Sequence, residues 1–111
     1  MDRPELSIAV RRTPEEVVLS LVGEIDMLTG NRLVNAITEV LTEPTPRIIL
    51  DLGGVTFCDS TGLGTLVVLS RKARDAQSVL ILTNVGDFLM RVLDITGVRS
   101  ALMVKNNEPS S

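Results

Sequence analysis

Histidine, tryptophan and tyrosine are all missing from this chain, and cysteine occurs once. Without histidine the commonest general base and the commonest metal ligand are gone, which leaves carboxylates, one thiol and hydroxyls for any chemistry. Cys58 on its own permits no intramolecular disulfide and fits a reducing compartment. In its apolar surroundings it reads as a buried small hydrophobe rather than a reactive thiol. Aromatic residues are only 2 % of the chain and the net charge is −3, so neither base stacking nor phosphate attraction favours direct binding to nucleic acid. No apolar run approaches the roughly 18 residues that a membrane span requires, and the chain is charged from Asp2 onward. These absences lead us to expect a soluble, cytoplasmic protein that contacts no membrane.

What is present is aliphatic. A hydrophobic fraction of 44 % in 111 residues suits a single domain over 1–111, with a Leu, Val and Ile core from about residue 6 to residue 104. Leu6 to Val10 and Val17 to Val22 read as a strand pair with a turn near Thr13-Pro14. After Gly23-Glu24-Ile25-Asp26, read as a loop, Leu33, Val34, Ile37, Val40 and Leu41 share one helical face, and Pro44 and Pro46 stop that helix. Ile48 to Leu52 is the continuous apolar run of a strand buried on both faces, interrupted by Gly53-Gly54. Val79 to Thr83 is a fourth strand. Asn84 or Gly86 opens a third helix, whose buried face is Phe88, Leu89, Val92, Leu93 and Ile95 and whose stop is Gly97. Leu102 to Val104 forms a short last strand, and the polar residues from Lys105 to Ser111 form a frayed tail. Strands alternating with helices from the third strand onward predict an α/β fold with a mixed, mainly parallel sheet of four to five strands. In such a sheet the loops at the strand carboxyl ends gather on one edge, so Asp26 and Ser60 should be neighbours.

The most informative stretch is Phe57-Cys58-Asp59-Ser60-Thr61-Gly62-Leu63-Gly64, where a strand gives way to a helix through small hydroxyl and carboxylate side chains. Either Asp59 or Ser60 can cap that helix, because a side-chain oxygen there accepts from a backbone N–H that the helix leaves unpaired. Gly62 and Gly64 cost a helix about 1 kcal/mol each relative to alanine, and close approach of another backbone, such as a docking partner's, would explain them. The basic cluster Arg71, Lys72 and Arg74 complements the C-terminal end of the same helix.

Taken together, Gly23 to Asp26, the strand and loop from Ile48 to Gly64, and Asn84-Val85 with Arg91 to Val98 resemble the STAS domain family. The likeness is to its stand-alone bacterial anti-sigma-factor antagonists and runs from about residue 6 to residue 104. One departure is Gln77-Ser78, where the family usually has a glycine turn. The resemblance implies a STAS fold and a partner-switching role. Unphosphorylated, such a protein binds an anti-sigma factor that is also a serine kinase, which frees a sigma factor for transcription. Phosphorylation on the serine matching Ser60 breaks the complex, and a metal-dependent serine phosphatase resets it. Thr61 is the lesser phosphorylation candidate. The partner surface implied comprises Asp26, Asp59, Ser60, Thr61, Gly62, Leu63 and Gly64, with exposed apolar residues expected around Leu63. The family implies no catalytic residue, metal or cofactor, although nucleotide binding has been proposed for some members.

Plainer readings exist for the same residues. Ser60 serves equally as an N-cap, and Asp26 as a cap for the helix near Leu28. Asp51 reads as a structural hydrogen-bond acceptor. Two rival functions remain open. One is a STAS subunit of a transporter or signalling assembly that is not phosphorylated. The other is a response-regulator-like phospho-acceptor at Asp51, for which the chain offers neither an acidic pair after the first strand nor a well-placed lysine, Lys105 lying past the last one. No Gly-x-x-x-x-Gly-Lys phosphate loop is present to support a nucleotide hydrolase.

Overall fold

A computed structural model of the chain describes residues 5–106. Among the described residues the order is β1 (Leu6–Arg12), β2 (Glu16–Ile25), α1 (Gly30–Val40), β3 (Arg47–Cys58), α2 (Ser60–Asp75), β4 (Val79–Thr83), α3 (Asp87–Thr96), a short 3-10 turn (Val98–Ala101) and β5 (Met103–Val104). The five strands form one sheet in the order β1-β2-β3-β4-β5. β1 runs antiparallel to β2 and every other pairing is parallel, as the strand and helix alternation predicts. The hairpin turns where expected, with Thr13 N–H donating to Glu16 O at 2.9 Å.

The helices share one hydrophobic core with one face of the sheet. Leu33 and Ile37 of α1, Leu66 and Leu69 of α2, and Leu89 and Leu93 of α3 all pack with Leu19, Leu50 and Leu82. The opposite face is thinly covered, and the strands record it. In β3, Ile48, Leu50 and Leu52 are buried while Ile49 and Asp51 between them are only half-buried. The expectation that this strand is buried on both faces is therefore corrected. Only β4 comes close to it, with Leu80, Ile81 and Leu82 all buried.

Gly53-Gly54 does not end β3, which continues to Cys58. Its register against β2 shifts between Ser20 and Val22 and again between Gly23 and Glu24, so the glycines sit in an irregular stretch of a longer strand. A Cβ on Gly54 would stand 2.7 Å from Leu21 O, which is why a side chain is excluded there. β2 likewise runs through the segment read as a loop, to Ile25.

The buried face of α3 is narrower than expected. Leu89 and Leu93 are buried and Val92 is half-buried, but Phe88 and Ile95 are 65 % and 77 % exposed. This helix leads to the edge strand β5, and only a stripe spaced four residues apart meets the sheet. The tail also starts later than expected. Lys105 N–H donates to Leu82 O, and Asn106 bonds both N–H and C=O of Val85 through its side-chain amide. Residues 107–111, the rest of the expected tail, lie outside the described residues. Gln77, at the departure from the family pattern, holds φ 63°, a left-handed conformation that glycine would adopt without strain.

Candidate functional site

The register of the parallel sheet builds the site. Ile25 pairs with Cys58 at the carboxyl ends of β2 and β3, and Asp59 N–H donates to Ile25 O at 3.3 Å. Asp26 and Asp59 therefore leave adjacent strand ends side by side, and the two motifs meet on one edge. No hydrogen bond links Asp26 to Ser60 among the described residues.

Asp59 caps α2. Its backbone is extended, with φ −91° and ψ −174°, and its Oδ1 accepts from Gly62 N–H at 2.8 Å. The Asp59 carbonyl takes the Leu63 N–H at 2.9 Å. Ser60 is thus the first residue of the helix and not its cap. Its side chain is exposed, as is that of Thr61, and no hydrogen bond ties the Ser60 hydroxyl among the described residues. With Asp59 satisfying Gly62 and Leu63, the N–H groups of Ser60 and Thr61 are the uncommitted donors of this helix start.

Asp26 is built into a turn. It is 8 % exposed, and its Oδ1 accepts from Leu28 N–H at 2.9 Å and Thr29 N–H at 3.0 Å. Thr29 closes the turn, its hydroxyl donating to Glu24 O at 2.7 Å and accepting from Asp26 N–H at 2.9 Å. The capping role read for Asp26 is corrected: α1 begins at Gly30 with Thr29 at its N-cap and no side-chain cap bond, and the Asp26 carboxylate instead closes the turn that precedes the helix.

Gly62 and Leu63 belong to the core. A Cβ on Gly62 would overlap the Ile25 carbonyl oxygen and come within 2.8 Å of Cys58 Sγ, so the close approach that Gly62 serves is the chain's own β2 end. Leu63 is 6 % exposed and packs inward, which corrects the expectation of exposed apolar residues around it. Gly64 differs: it is exposed, and nothing lies within 4 Å of where its Cβ would be. The exposed apolar residues at this edge are ones that sequence reasoning did not single out. Met27 and Leu28, in the Asp26 turn, are 70 % and 68 % exposed, and Phe57 is 44 % exposed. Phe57 and Phe88 flank a small pocket of about 120 Å³ beside Cys58. The signal was present in the sequence as an apolar pair, Met27-Leu28, within a turn segment, and as Phe57 directly before the small polar residues of the loop.

Cys58 is buried, and its thiol is pushed up from 9.0 to about 12, first by burial and then by the Asp59 carboxylate. It is an inert core residue at neutral pH. Asp51 accepts from Gly53 N–H at 2.9 Å and from Asn84 Nδ2 at 3.0 Å, the structural role expected of it. It lies within β3 well before the strand's end, and no group of three potential metal ligands occurs among the described residues. The response-regulator arrangement of carboxylates at a strand tip is therefore not assembled here.

The same fold occurs in an anti-sigma factor antagonist from Mycobacterium paratuberculosis, with a TM-score of 0.78 and 27 % identity over 90 % of this chain and 85 % of that one. It also occurs in the anti-sigma factor antagonist SpoIIAA, at 22 % identity. The unphosphorylated form gives a TM-score of 0.73 over 91 % of this chain and 90 % of that one. The phosphorylated form of the Bacillus protein gives 0.68 over 91 % and 93 %. This defines the class as a STAS-type α/β domain. The family model described as Mlab, STAS domain matches residues 8–105. An anti-sigma-B factor antagonist from Listeria monocytogenes is 32 % identical over 104 residues, covering 93 % of this chain and 91 % of its own. The chain belongs to the STAS-domain family, in its group of anti-sigma-factor antagonists. No helix among the described residues is long and apolar enough to cross a membrane.

Proposed function

We propose that this protein is a cytoplasmic anti-sigma-factor antagonist whose switch is Ser60. Unphosphorylated, it docks an anti-sigma factor with serine-kinase activity through the edge formed by Asp26, Asp59, Ser60, Thr61 and Gly64, with Met27, Leu28 and Phe57 supplying the apolar contact. A sigma factor is thereby released. The kinase transfers phosphate to the Ser60 hydroxyl, the complex dissociates, and a metal-dependent serine phosphatase restores the free hydroxyl. The protein acts by binding and not by catalysis.

The observation that carries this reading is the division of labour at the start of α2. Asp59 supplies the cap, so the exposed Ser60 hydroxyl is left without a structural task. A phosphate there meets the uncommitted N–H groups of Ser60 and Thr61 and the positive end of the helix dipole, so the fold tolerates it. The same phosphate adds about −1.5 to −2 charges beside Asp59 and the Asp26 turn. A partner carboxylate brought to about 6 Å from that phosphate is repelled by roughly 3 kcal/mol at an effective dielectric near 20, which is about a hundredfold in affinity. Repulsion and bulk at the docking edge then suffice to expel an acidic or closely packed partner.

The test is intact mass and phosphosite mapping after incubation with ATP, magnesium and candidate anti-sigma kinases from the same organism. One phosphate on Ser60, absent from Ser60→Ala and accompanied by release of the kinase, supports the switch. Ser60→Asp should bind the kinase about a hundredfold more weakly than the parent. Stable binding without phosphate transfer by any candidate would instead mark a fixed subunit of a larger assembly.

A further inference from the structure

Away from the Ser60 edge, at the amino ends of the parallel strands, a cleft of about 540 Å³ opens between the C-terminal half of α2, the 3-10 turn and β4. It exists because β5 is short. Met103 and Val104 pair with Ile81 and Leu82, which leaves the outer edge of Val79 and Leu80 uncovered. The cleft has an apolar wall and a cationic rim. Val79 and Met103 line it while 42 % and 47 % exposed, which gives the cleft an accessible apolar wall. Arg74 and Arg99 also line it, and no acidic side chain does. Arg99 is already paired with Asp94 at 3.1 Å, whereas Arg74 has no salt bridge among the described residues.

Ser78 supplies a second, independent observation. It lines the cleft at 4 % exposure, and its hydroxyl is the buried side-chain polar atom without a hydrogen-bond partner among the described residues. Buried hydroxyls are normally satisfied, and because Ser78 lines a cavity of ligand size, a change of its χ1 rotamer would let a ligand atom there satisfy this one. Of the chain's described ends, the N-terminal one does not reach the cleft, and the C-terminal one borders it through Met103 and Val104 before turning away at Asn106. Leu6, which pairs with Gly23, and Asn106, which bonds Val85, both lie at the Ser60 edge.

We propose that this cleft binds a small amphipathic monoanion, a carboxylate with an apolar body. Arg74 takes the carboxylate, Ser78 donates a hydrogen bond to it or to an adjacent oxygen, and Val79, Leu80 and Met103 hold the apolar part. A single uncompensated guanidinium matches one negative charge, and the apolar wall selects against a bare inorganic anion. The site does not rest on the phosphorylation of Ser60.

The experiment is a titration of the 111-residue protein with octanoate, followed by amide chemical shifts, with octanol and inorganic phosphate as parallel probes. Saturable shifts clustered at Ser78, Leu80, Ser100 and Met103 with octanoate, and much weaker ones with the other two, are expected. Arg74→Ala, an exposed position that leaves the fold intact, should weaken octanoate at least about tenfold, and Arg74→Lys should restore part of that loss. Ser78→Ala should weaken it severalfold without altering the unfolding midpoint downward. Equal binding of octanol, shifts elsewhere on the surface, indifference to Arg74→Ala, or no saturation would each overturn the assignment.

Discussion

Ser60 can act as a switch because its neighbours free it from structural duty, and the two glycines after it show how differently adjacent positions are constrained. Gly62 faces the Ile25 carbonyl and Cys58 Sγ, so Gly62→Ala forces the β2 end and the helix apart. A loss of about 1–3 kcal/mol in urea unfolding is expected. Gly64 has open space, and Gly64→Ala should raise stability by about 0.5–1 kcal/mol through helix propensity, provided only folding is measured. If Gly64→Ala also weakens partner docking while leaving the fold more stable, the open space at that position belongs to the partner. Cys58 gives a pH signature. The folded thiol holds its proton up to about 12, whereas the unfolded chain releases it near 9.0, so the folded state binds more protons in between. Stability therefore falls as pH rises through that window, and Cys58→Ala should flatten the alkaline limb of the stability curve. Alkylation of the parent thiol should be slow at pH 8 until the protein is unfolded.

At the level of elements, capping decides how firmly the docking edge is held. Asp59→Ala removes the bond to Gly62 N–H and should cost about 1 kcal/mol, with the melting curve as the readout. Thr29→Val removes the hydroxyl that bridges Glu24 O and Asp26 N–H, and should loosen the Asp26 turn at a similar cost. These elements were largely legible in the sequence. The hairpin, the three helices, the parallel strands and the meeting of the Asp26 and Asp59 ends all followed from periodicity, caps and crossover rules. What escaped was set by contacts distant in the chain. Gly53-Gly54 looked like a strand break because the bulged register that needs them is a property of β2 and β3 together. Phe88 and Ile95 fit a helical stripe, but how wide a stripe is covered depends on how much sheet lies beneath α3. Leu63 carried the wrong sign for the same reason: the sequence places it at the start of a helix, and only the packing shows that it faces inward while Ser60, Thr61 and Gly64 of the same turn face out.

Over the whole molecule, stability and recognition are separated in space. The core lies between the helices and one sheet face, while Met27, Leu28 and Phe57 stand outside it at the Ser60 edge. Replacing Leu28 with serine should move the unfolding free energy by no more than about 0.5 kcal/mol, whereas Phe57→Ala, at a strand position more than half buried, should cost about 1–2 kcal/mol. The same replacements should weaken kinase docking by about tenfold or more, measured by calorimetry or surface binding. A Leu28 variant that loses binding and stability in parallel would place that side chain in the fold and not in the interface.

The order of the strands also bears on how the protein is made. Each strand lies beside the one that precedes it in the chain, with no later strand inserted between earlier ones. As the polypeptide emerges from the ribosome, every new strand and helix finds its neighbour already delivered, and the sheet can grow by accretion from β1 towards β5. The topology thus allows assembly in the direction of synthesis, and every residue of the Ser60 docking edge has been delivered by the time α2 is made.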